Sequence, residues 1–371
     1  MTAVLGGLAA TLALVLLLAP LLLVLLTRIF VARTERRHPP AGEMVDCGGL
    51  RLHALRVRGG EAGDPATNEP PILFIHGASG NLLDQYHAFA ASLPPGRLGL
   101  FVDRPGQGHS ARGDARNDTP GGQADVLARL LDAWSIERVV VVGHSYGGAV
   151  AASLALRHPK RTAGLVLVSA ATHPWPGGKT SWYYEWLATH PRLGRLFAET
   201  LLVPLGLRRM DCALNGVFSP QPVPRDYYER SGTALAIRPR AFLANARDVT
   251  RLHDYFGRTA PHYGDIEAPT VIVTGDEDAI VHGPWHSEPM SLAVLGSRLV
   301  VVPGLGHKPD YYATGLVMQA VHAVGAGDAL GFDPSIPSVP RARPVPLPET
   351  FEDGLETTPG TAALASRPGR G

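Results

Sequence analysis

Short apolar runs alternate with polar, glycine-containing loops along most of this chain. Four runs rich in valine, isoleucine and leucine occupy residues 71–75, 138–142, 269–275 and 297–304. Their length and β-branched composition predict strands that are buried on both faces, as in a parallel sheet. The run at 138–142 leads, after a short turn, into a small-residue helical segment over 148–156. The pattern therefore predicts an α/β domain whose chemically important loops follow the strand ends.

The turn between that run and that helix carries the most informative motif. Gly143-His144-Ser145-Tyr146-Gly147 fits the pattern Gly-x-Ser-x-Gly. Between a strand and a helix this pattern indicates a nucleophile elbow, whose sharp turn lifts the serine hydroxyl clear of the sheet. A Cβ at position 143 or 147 is expected to collide with the neighbouring strand or helix. Ser145 is the predicted nucleophile.

A serine nucleophile needs a base and an acid that orients the base. His307 follows the run at 297–304 and is the predicted base. Asp276 and Asp278 both follow the run at 269–275. Asp278 has room to turn back toward the histidine and is the favoured acid. Asp276 is the alternative acid, although its place at the strand end suits it better to stabilising the turn.

Two backbone amides are the candidate oxyanion hole. In serine hydrolases with such an elbow, one donor is the amide after the nucleophile, here Tyr146, and the other comes from a loop after an earlier strand. The loop after 71–75 is His76-Gly-Ala-Ser-Gly-Asn, and Ala78 is the candidate donor in it. We expect His76 to hydrogen-bond within this loop. We expect Asp103, which precedes Arg-Pro-Gly, to stabilise a turn.

Five motifs of this chain together resemble those of the α/β-hydrolase superfamily: HGASGN at 76–81, DRPGQGHS at 103–110, GHSYGG at 143–148, TGDED at 274–278 and GLGH at 304–307. The resemblance extends from about residue 43 to about residue 326. Within the superfamily, the second motif resembles that of the esterase, perhydrolase and epoxide-hydrolase branches. Serine at position 145, where epoxide hydrolases and haloalkane dehalogenases have aspartate, favours acyl chemistry.

The resemblance implies the α/β-hydrolase fold, with a mostly parallel eight-stranded sheet, helices on both faces and a helical cap inserted after the sixth strand. The core is then assigned to residues 43–170 and 266–326, and the cap to 171–265. Aromatic residues crowd the start of the cap, at positions 175, 182, 183, 184 and 186. They predict an apolar cap face toward the pocket. The proline-rich segment 327–371 is expected to be a disordered tail.

A longer apolar run begins the chain. No side chain from Thr2 to Thr27 is charged, and arginines follow at positions 28, 33, 36 and 37. The run exceeds the roughly 20 residues that cross a bilayer, and it is longer than the apolar region of a typical secretory signal peptide, which is the rival interpretation. We therefore expect a transmembrane anchor over 1–27 and a basic juxtamembrane linker over 28–42. The positive-inside tendency predicts a single-pass protein with its catalytic domain on the cytoplasmic face.

Composition narrows the range of functions. The net charge of +1 provides no large basic field for nucleic acid. Cys47 and Cys212 lie far apart and suggest neither a zinc site nor a disulfide framework. The chain also lacks a phosphate loop and a dinucleotide-binding glycine motif after a strand, so no cofactor and no metal is expected.

The expected function is that of a serine hydrolase that cleaves carboxylic esters through an acyl-enzyme. Its expected substrate is a small-molecule ester or lipid, with an apolar acyl group or a monoacylglycerol-like structure, taken at the membrane. One alternative is a cofactor-free perhydrolase or haloperoxidase that uses the same triad. The other is a non-catalytic, membrane-tethered binding module on the same fold. The oligomeric state stays open.

Overall fold

A central sheet organises the molecule. The computed structural model describes residues 2–61 and 64–334, and these residues form eight strands in the order β1-β2-β4-β3-β5-β6-β7-β8. The strands are β1 (Glu43–Asp46), β2 (Arg51–Arg58), β3 (Ile72–Ile75), β4 (Leu98–Val102), β5 (Val139–His144), β6 (Thr162–Val168), β7 (Thr270–Gly275) and β8 (Arg298–Val302). Strand β2 runs antiparallel to β1 and β4, and the other pairs are parallel. The predicted eight-stranded, mostly parallel sheet is confirmed.

Both faces of the sheet are covered, which explains the continuous apolar runs in the sequence. Along β5, Val139 and Val141 point into one hydrophobic cluster, whereas Val140 and Val142 point into a second cluster on the opposite face. All four side chains are fully buried. Because successive residues of a strand face opposite sides, a strand with helices on both sides has no polar positions.

The described helices are α1 (Thr2–Arg37), α2 (Leu82–Phe89), α3 (Pro120–Ala133), α4 (Tyr146–Arg157), α5 (Trp182–Thr189), α6 (Pro191–Thr200), α7 (Leu202–Phe218), α8 (Tyr227–Arg230), α9 (Pro239–Thr250), α10 (Leu252–Thr259), α11 (Ser287–Ala293), α12 (Pro309–Tyr312) and α13 (Thr314–Gly325). Helices α3 and α4 contribute to the first hydrophobic cluster, and α13 contributes to the second. Helices α5 to α10 lie between β6 and β7 in the chain. We call this helical insertion the cap.

The predicted membrane anchor requires correction. No helix within residues 2–61 and 64–334 combines the length and the apolar character that a bilayer span needs. Helix α1 does not end where the apolar run ends but continues through the arginines to Arg37. Its last turns pack on the cap, where Arg28 pairs with Glu199 at 3.1 Å and Thr34 is buried. The predicted anchor over 1–27, and with it the single-pass location with a cytoplasmic catalytic domain, is wrong.

The remaining terminal predictions concern the linker and the tail. Residues 28–37, expected to belong to a linker, are the helical continuation of α1. Most of the segment expected to be disordered, from residue 335 to residue 371, lies outside the described residues.

Candidate active site

The predicted nucleophile lies at the turn between β5 and α4. Ser145 has φ 54° and ψ −119°, a backbone conformation that is strained for a residue with a side chain. The glycines of the motif make this turn possible. A Cβ at Gly147 would collide with the carbonyl oxygen of Ile75 in β3, and one at Gly143 would collide with the carbonyl oxygen of Gly147. The serine is thus held on a narrow turn, with its side chain largely buried.

The same turn orients the amide of Tyr146. The carbonyl oxygen of Ser145 accepts hydrogen bonds from the amides of Gly148 at 2.9 Å and Ala171 at 3.2 Å. In a trans peptide the C=O and N–H bonds point in opposite directions, so the Tyr146 N–H points away from both donors. Tyr146 is also the first residue of α4, where backbone amides have no partner within the helix. Its amide is therefore available to a ligand.

Asp278 and His307, although 29 residues apart, are in direct contact. His307 Nδ1 lies 2.8 Å from Asp278 Oδ2, and both side chains are buried. Asp278 Oδ1 accepts hydrogen bonds from the amides of Ile280 at 2.9 Å and Val281 at 2.8 Å. Burial opposes ionisation of Asp278, but the charge and hydrogen bond of His307 and these amides hold its pKa below the ordinary value. The carboxylate is thus fixed in position and negatively charged.

Asp276, the alternative acid, is used differently. Its Oδ1 accepts a hydrogen bond from the amide of Gly304 at 2.6 Å, which ties the end of β7 to the loop after β8. His307 lies at the far end of that loop, so Asp276 supports the loop that carries the histidine.

The candidate oxyanion loop lies directly against Ser145. A Cβ built on Gly77 would be 3.1 Å from the Cβ of Ser145, a tight contact that glycine avoids. Ala78 follows and is exposed. His76 is buried and accepts a hydrogen bond from the Arg104 amide at Nε2 (3.0 Å), and its Nδ1 lies 2.8 Å from the Gly77 carbonyl oxygen. Burial and the charge of Arg104 lower its pKa to about 3, so His76 is a neutral, structural residue of the loop.

The Asp103 carboxylate also stabilises the local structure. Its two carboxylate oxygens accept hydrogen bonds from the amides of Leu82 at 2.7 Å and His109 at 2.8 Å. One of them also lies 2.6 Å from His53 Nδ1. The carboxylate therefore joins β2, the start of α2 and the loop after β4.

Both cysteines are free thiols, and burial raises the pKa of Cys47 to about 11, which makes it a poor nucleophile.

Comparison with known proteins identifies the family. A family profile described as alpha/beta hydrolase fold matches residues 70–314, which include the Ser145 turn, the candidate oxyanion loop, Asp278 and His307. The chain belongs to the alpha/beta hydrolase family. Its homologues include several hydrolases, and they support hydrolase activity for this chain.

Two curated relatives and one solved structure illustrate the similarity. The chain is 29% identical over 311 residues to a dihydrolipoyllysine-residue acetyltransferase component of the acetoin cleaving system from Pseudomonas putida, covering 79% of this chain and 72% of the relative. It is 32% identical over 221 residues to a pimeloyl-[acyl-carrier protein] methyl ester esterase from Edwardsiella ictaluri, covering 56% and 75%. A crystal structure of a bacterial membrane phospholipase A is 25% identical with a TM-score of 0.58, covering 88% and 99%.

The hydrolase also contains two buried ionic clusters that sequence reasoning missed. The first, which we call the oxyanion-side cluster, consists of Arg104, Arg112, Gln123 and Asp248. Arg104 is completely buried and pairs with Asp248 at 2.9 Å, although the two residues are 144 positions apart. Its guanidinium also contacts Gln123 at 3.0 Å and lies 4.2 Å from the centre of the Tyr146 ring. No local pattern in the sequence links a turn residue after β4 to a cap helix.

The second, which we call the histidine-side cluster, consists of Asp84, His144, Lys308 and Asp310. The buried Lys308 ammonium lies 2.9 Å from Asp310 and 3.2 Å from Asp84. His144 Nε2 donates to the carbonyl oxygen of His307 at 2.9 Å, which links this cluster to the predicted base. Ligand atoms of Asp84, His144 and Asp310 lie within 4.8 Å of one another, a spacing that a metal could use. The lysine ammonium already supplies the cation there.

Proposed function

We propose that this hydrolase cleaves carboxylic esters through an acyl-enzyme on Ser145. His307 Nε2 takes the hydroxyl proton while Ser145 Oγ forms a bond to the ester carbon, and the carbonyl electron pair moves to oxygen. The amides of Ala78 and Tyr146 bind that oxyanion. The intermediate collapses when the ester C–O bond breaks, and His307 returns the proton to the departing alcohol. Water then attacks the acyl group with the same base, releasing the acid and restoring Ser145.

The observation that carries the proposal is the combination of a strained serine turn with a histidine–carboxylate pair. Ser145 has a positive φ between β5 and α4, and the Asp278–His307 contact of 2.8 Å comes from the ends of β7 and β8. His307 is tied by its carbonyl to His144, the residue before the nucleophile. Similarity to a methyl ester esterase supports the same reaction class.

We further propose a preference for apolar acyl groups. The cap residue Tyr184 packs on Phe242, with ring centres 5.5 Å apart. Asn245 donates a hydrogen bond to the Tyr184 hydroxyl at 3.3 Å, and it accepts one from the amide of Ser79 in the candidate oxyanion loop. An aromatic pair therefore lies beside the loop that would bind the ester oxygen. Each CH₂ group buried against such a surface contributes about 0.8 kcal/mol.

The test combines active-site labelling with a substrate series. We expect Ser145→Ala to fold normally but to lose fluorophosphonate labelling and hydrolysis of p-nitrophenyl esters. Asp278→Asn and Asp276→Asn form a matched pair of acid variants: the first is expected to lose most of kcat, roughly 10⁴-fold as for other triad aspartates, whereas the second is expected to retain most of it.

Several outcomes would contradict the proposal. Labelling that persists in Ser145→Ala would place the nucleophile elsewhere, and a larger loss in Asp276→Asn than in Asp278→Asn would exchange the two acids. For the substrate, kcat/KM is measured from two to twelve acyl carbons. We expect a maximum beyond acetate, and a steady decline from acetate onward would refute the apolar preference.

A further inference from the structure

One cap helix contacts the candidate oxyanion loop through two polar side chains. Asn245 and Asp248 lie three residues apart on α9, so they occupy the same face of the helix. Asn245 Oδ1 accepts a hydrogen bond from the amide of Ser79 at 2.8 Å. Asp248 binds Arg104 at 2.9 Å and Arg112 at 2.5 Å. Asn245, Asp248 and Arg104 are buried, Arg112 is half-buried and Ser79 is exposed.

Arg104 contacts both Asp248 and the candidate oxyanion loop, and so links the two. Its Nε donates to the carbonyl oxygen of His76 at 3.0 Å, and its Nη2 donates to the carbonyl oxygen of Gly77 at 3.0 Å. The Nδ1 of His76, 2.8 Å from the Gly77 oxygen, provides a second donor to that carbonyl. A planar guanidinium fixes these directions together, because its N–H bonds form one rigid fork.

The direction of the Gly77 carbonyl determines the direction of the Ala78 amide. Both belong to one planar trans peptide, in which C=O and N–H point in opposite directions. Two donors on the carbonyl side therefore hold the Ala78 N–H on the other side of the peptide, toward which an oxyanion would bind. The next amide, that of Ser79, is held by Asn245, which fixes the following peptide as well.

The two candidate oxyanion donors differ in what orients them. The Tyr146 amide is oriented by core residues, because Gly148 and Ala171 hold the carbonyl of its peptide. The Ala78 amide is oriented by Arg104, whose buried charge is balanced by a carboxylate of the cap. We propose that Asp248 and Asn245 are positioning residues for the Ala78 amide, so that the oxyanion hole is complete only when α9 is docked on the core. This inference rests on the proposed ester hydrolysis.

The test uses variants of both cap residues in the full chain. We expect Asp248→Asn to lower kcat for a p-nitrophenyl ester on the order of 10²-fold, the loss seen when one oxyanion donor is removed. KM and the midpoint of the pH profile of kcat/KM stay near their wild-type values. Inhibition by a trifluoromethyl ketone, whose adduct carries an oxyanion, weakens by the same factor as kcat. Asp248→Glu, which keeps the charge, is expected to recover part of the loss.

Asn245→Leu carries the test if Asp248→Asn fails to fold, because it leaves the buried ion pair intact and removes only the contacts of Asn245 to the Ser79 amide and the Tyr184 hydroxyl. Its expected loss of kcat is roughly tenfold, less than that for complete loss of a donor. Arg240→Gln is the matched control: Arg240 lies on the same helix, is exposed and has its described ion pair with Glu35, at 3.9 Å, away from both contacts. This variant should retain wild-type kcat.

Hydrogen exchange of residues 76–81 provides a readout that does not depend on catalysis. We expect faster exchange there in Asp248→Asn and Asn245→Leu, with no change in α4. Wild-type kcat and wild-type exchange in folded Asp248→Asn or Asn245→Leu would overturn the inference. If the wild-type protein hydrolyses no ester, the proposed function fails, and the exchange data alone decide whether α9 positions the loop.

Discussion

Each of the two ionic clusters contains one fully buried cation, Arg104 in one and Lys308 in the other, and the two cations are held in different ways. In the oxyanion-side cluster, Arg104 contacts two backbone carbonyls and the Asp248 carboxylate. In the histidine-side cluster, Lys308 contacts two carboxylates and lies over three aromatic rings, the nearest being Tyr311 at 4.9 Å. A guanidinium with fixed N–H directions suits the first task, because it must orient peptides. A compact ammonium suits the second, because it only has to balance charge.

The balance of charge also differs between the clusters. Near Arg104, the guanidinium groups of Arg104 and Arg112 face the carboxylates of Asp248 and Asp118, and Arg247 and Arg251 each lie 3.5 Å from Asp118 as well. Around Lys308, one ammonium faces two carboxylates, and His144 adds no charge because burial lowers its pKa to about 4. Lys308 therefore balances two carboxylates alone, whereas Arg104 shares this task with other guanidinium groups. The carboxylates in turn raise the pKa of the ammonium, although burial alone would lower it.

Removing Lys308 is the most severe way to test this comparison. Lys308→Met keeps the apolar stem but leaves the carboxylates of Asp84 and Asp310 buried without a cation. Loss of one partner from a buried ionic group typically costs 3–5 kcal/mol, so we expect the free energy of unfolding in urea to fall by about 4 kcal/mol. Lys160→Met, at an exposed lysine, is the control and should change it by less than about 0.5 kcal/mol. A small effect at Lys308 would show that the cluster does not depend on the ammonium.

A pH titration tests whether His144 of the histidine-side cluster, and His76 beside Arg104, are neutral in the folded protein. Burial lowers the pKa of His144 to about 4, and burial together with the Arg104 charge lowers that of His76 to about 3. An unfolded histidine titrates near 6.5, so between about pH 6.5 and pH 4 the unfolded chain binds protons that the folded chain does not. The free energy of unfolding must then fall as pH falls, by up to about 3 kcal/mol per histidine.

The measurement is the denaturation midpoint in urea at several pH values from 7 to 4. His144→Gln is the matched variant, because its side-chain amide can still donate to the His307 carbonyl but does not titrate. We expect a shallower decline with this variant than with the wild type. Identical slopes for the two proteins would show that folding does not lower the pKa of His144.

Exchanging the type of cation makes the smallest expected change. Arg104→Lys keeps a positive charge opposite Asp248 but cannot contact His76 O, Gly77 O and Asp248 at once. We expect a folded protein whose kcat for the p-nitrophenyl ester falls roughly tenfold while KM stays similar, a partial version of the loss of an oxyanion donor. Steady-state kinetics with equal active-site concentrations provide the measurement. Wild-type kcat would mean that charge alone, rather than the fork geometry, matters at this position.

The sequence predicted most readily what local patterns encode. The valine run of β5 is apolar because both faces of the strand are covered. The elbow could be recognised in the sequence because Gly143, Ser145 and Gly147 lie within five residues. The loops of Asp278 and His307 were predicted because each follows a strand, and the structure brings those two side chains into contact. Their catalytic roles remain predictions.

Long-range contacts could not be predicted from the sequence, for a physical reason. Lys308 and Asp84 are 224 positions apart, and a lysine or an aspartate in a sequence looks the same whether it becomes buried or exposed. The prediction for the amino terminus failed similarly. Apolar composition suggested a membrane anchor, but it could not indicate that the end of α1 would pack on the cap, with Glu35 paired to the buried Arg238. Only tertiary structure reveals such partners.

The placement of the cap between β6 and β7 has a consequence for engineering. These two strands are neighbours in the sheet, so the cap is an excursion that leaves and re-enters the core at adjacent positions. Such an insertion invites replacement by the cap of another family member as a means of changing specificity. In this enzyme, however, a transplanted cap must bring its own carboxylate opposite Arg104. A chimera that lacks it would inherit a new binding surface together with a buried, unbalanced guanidinium.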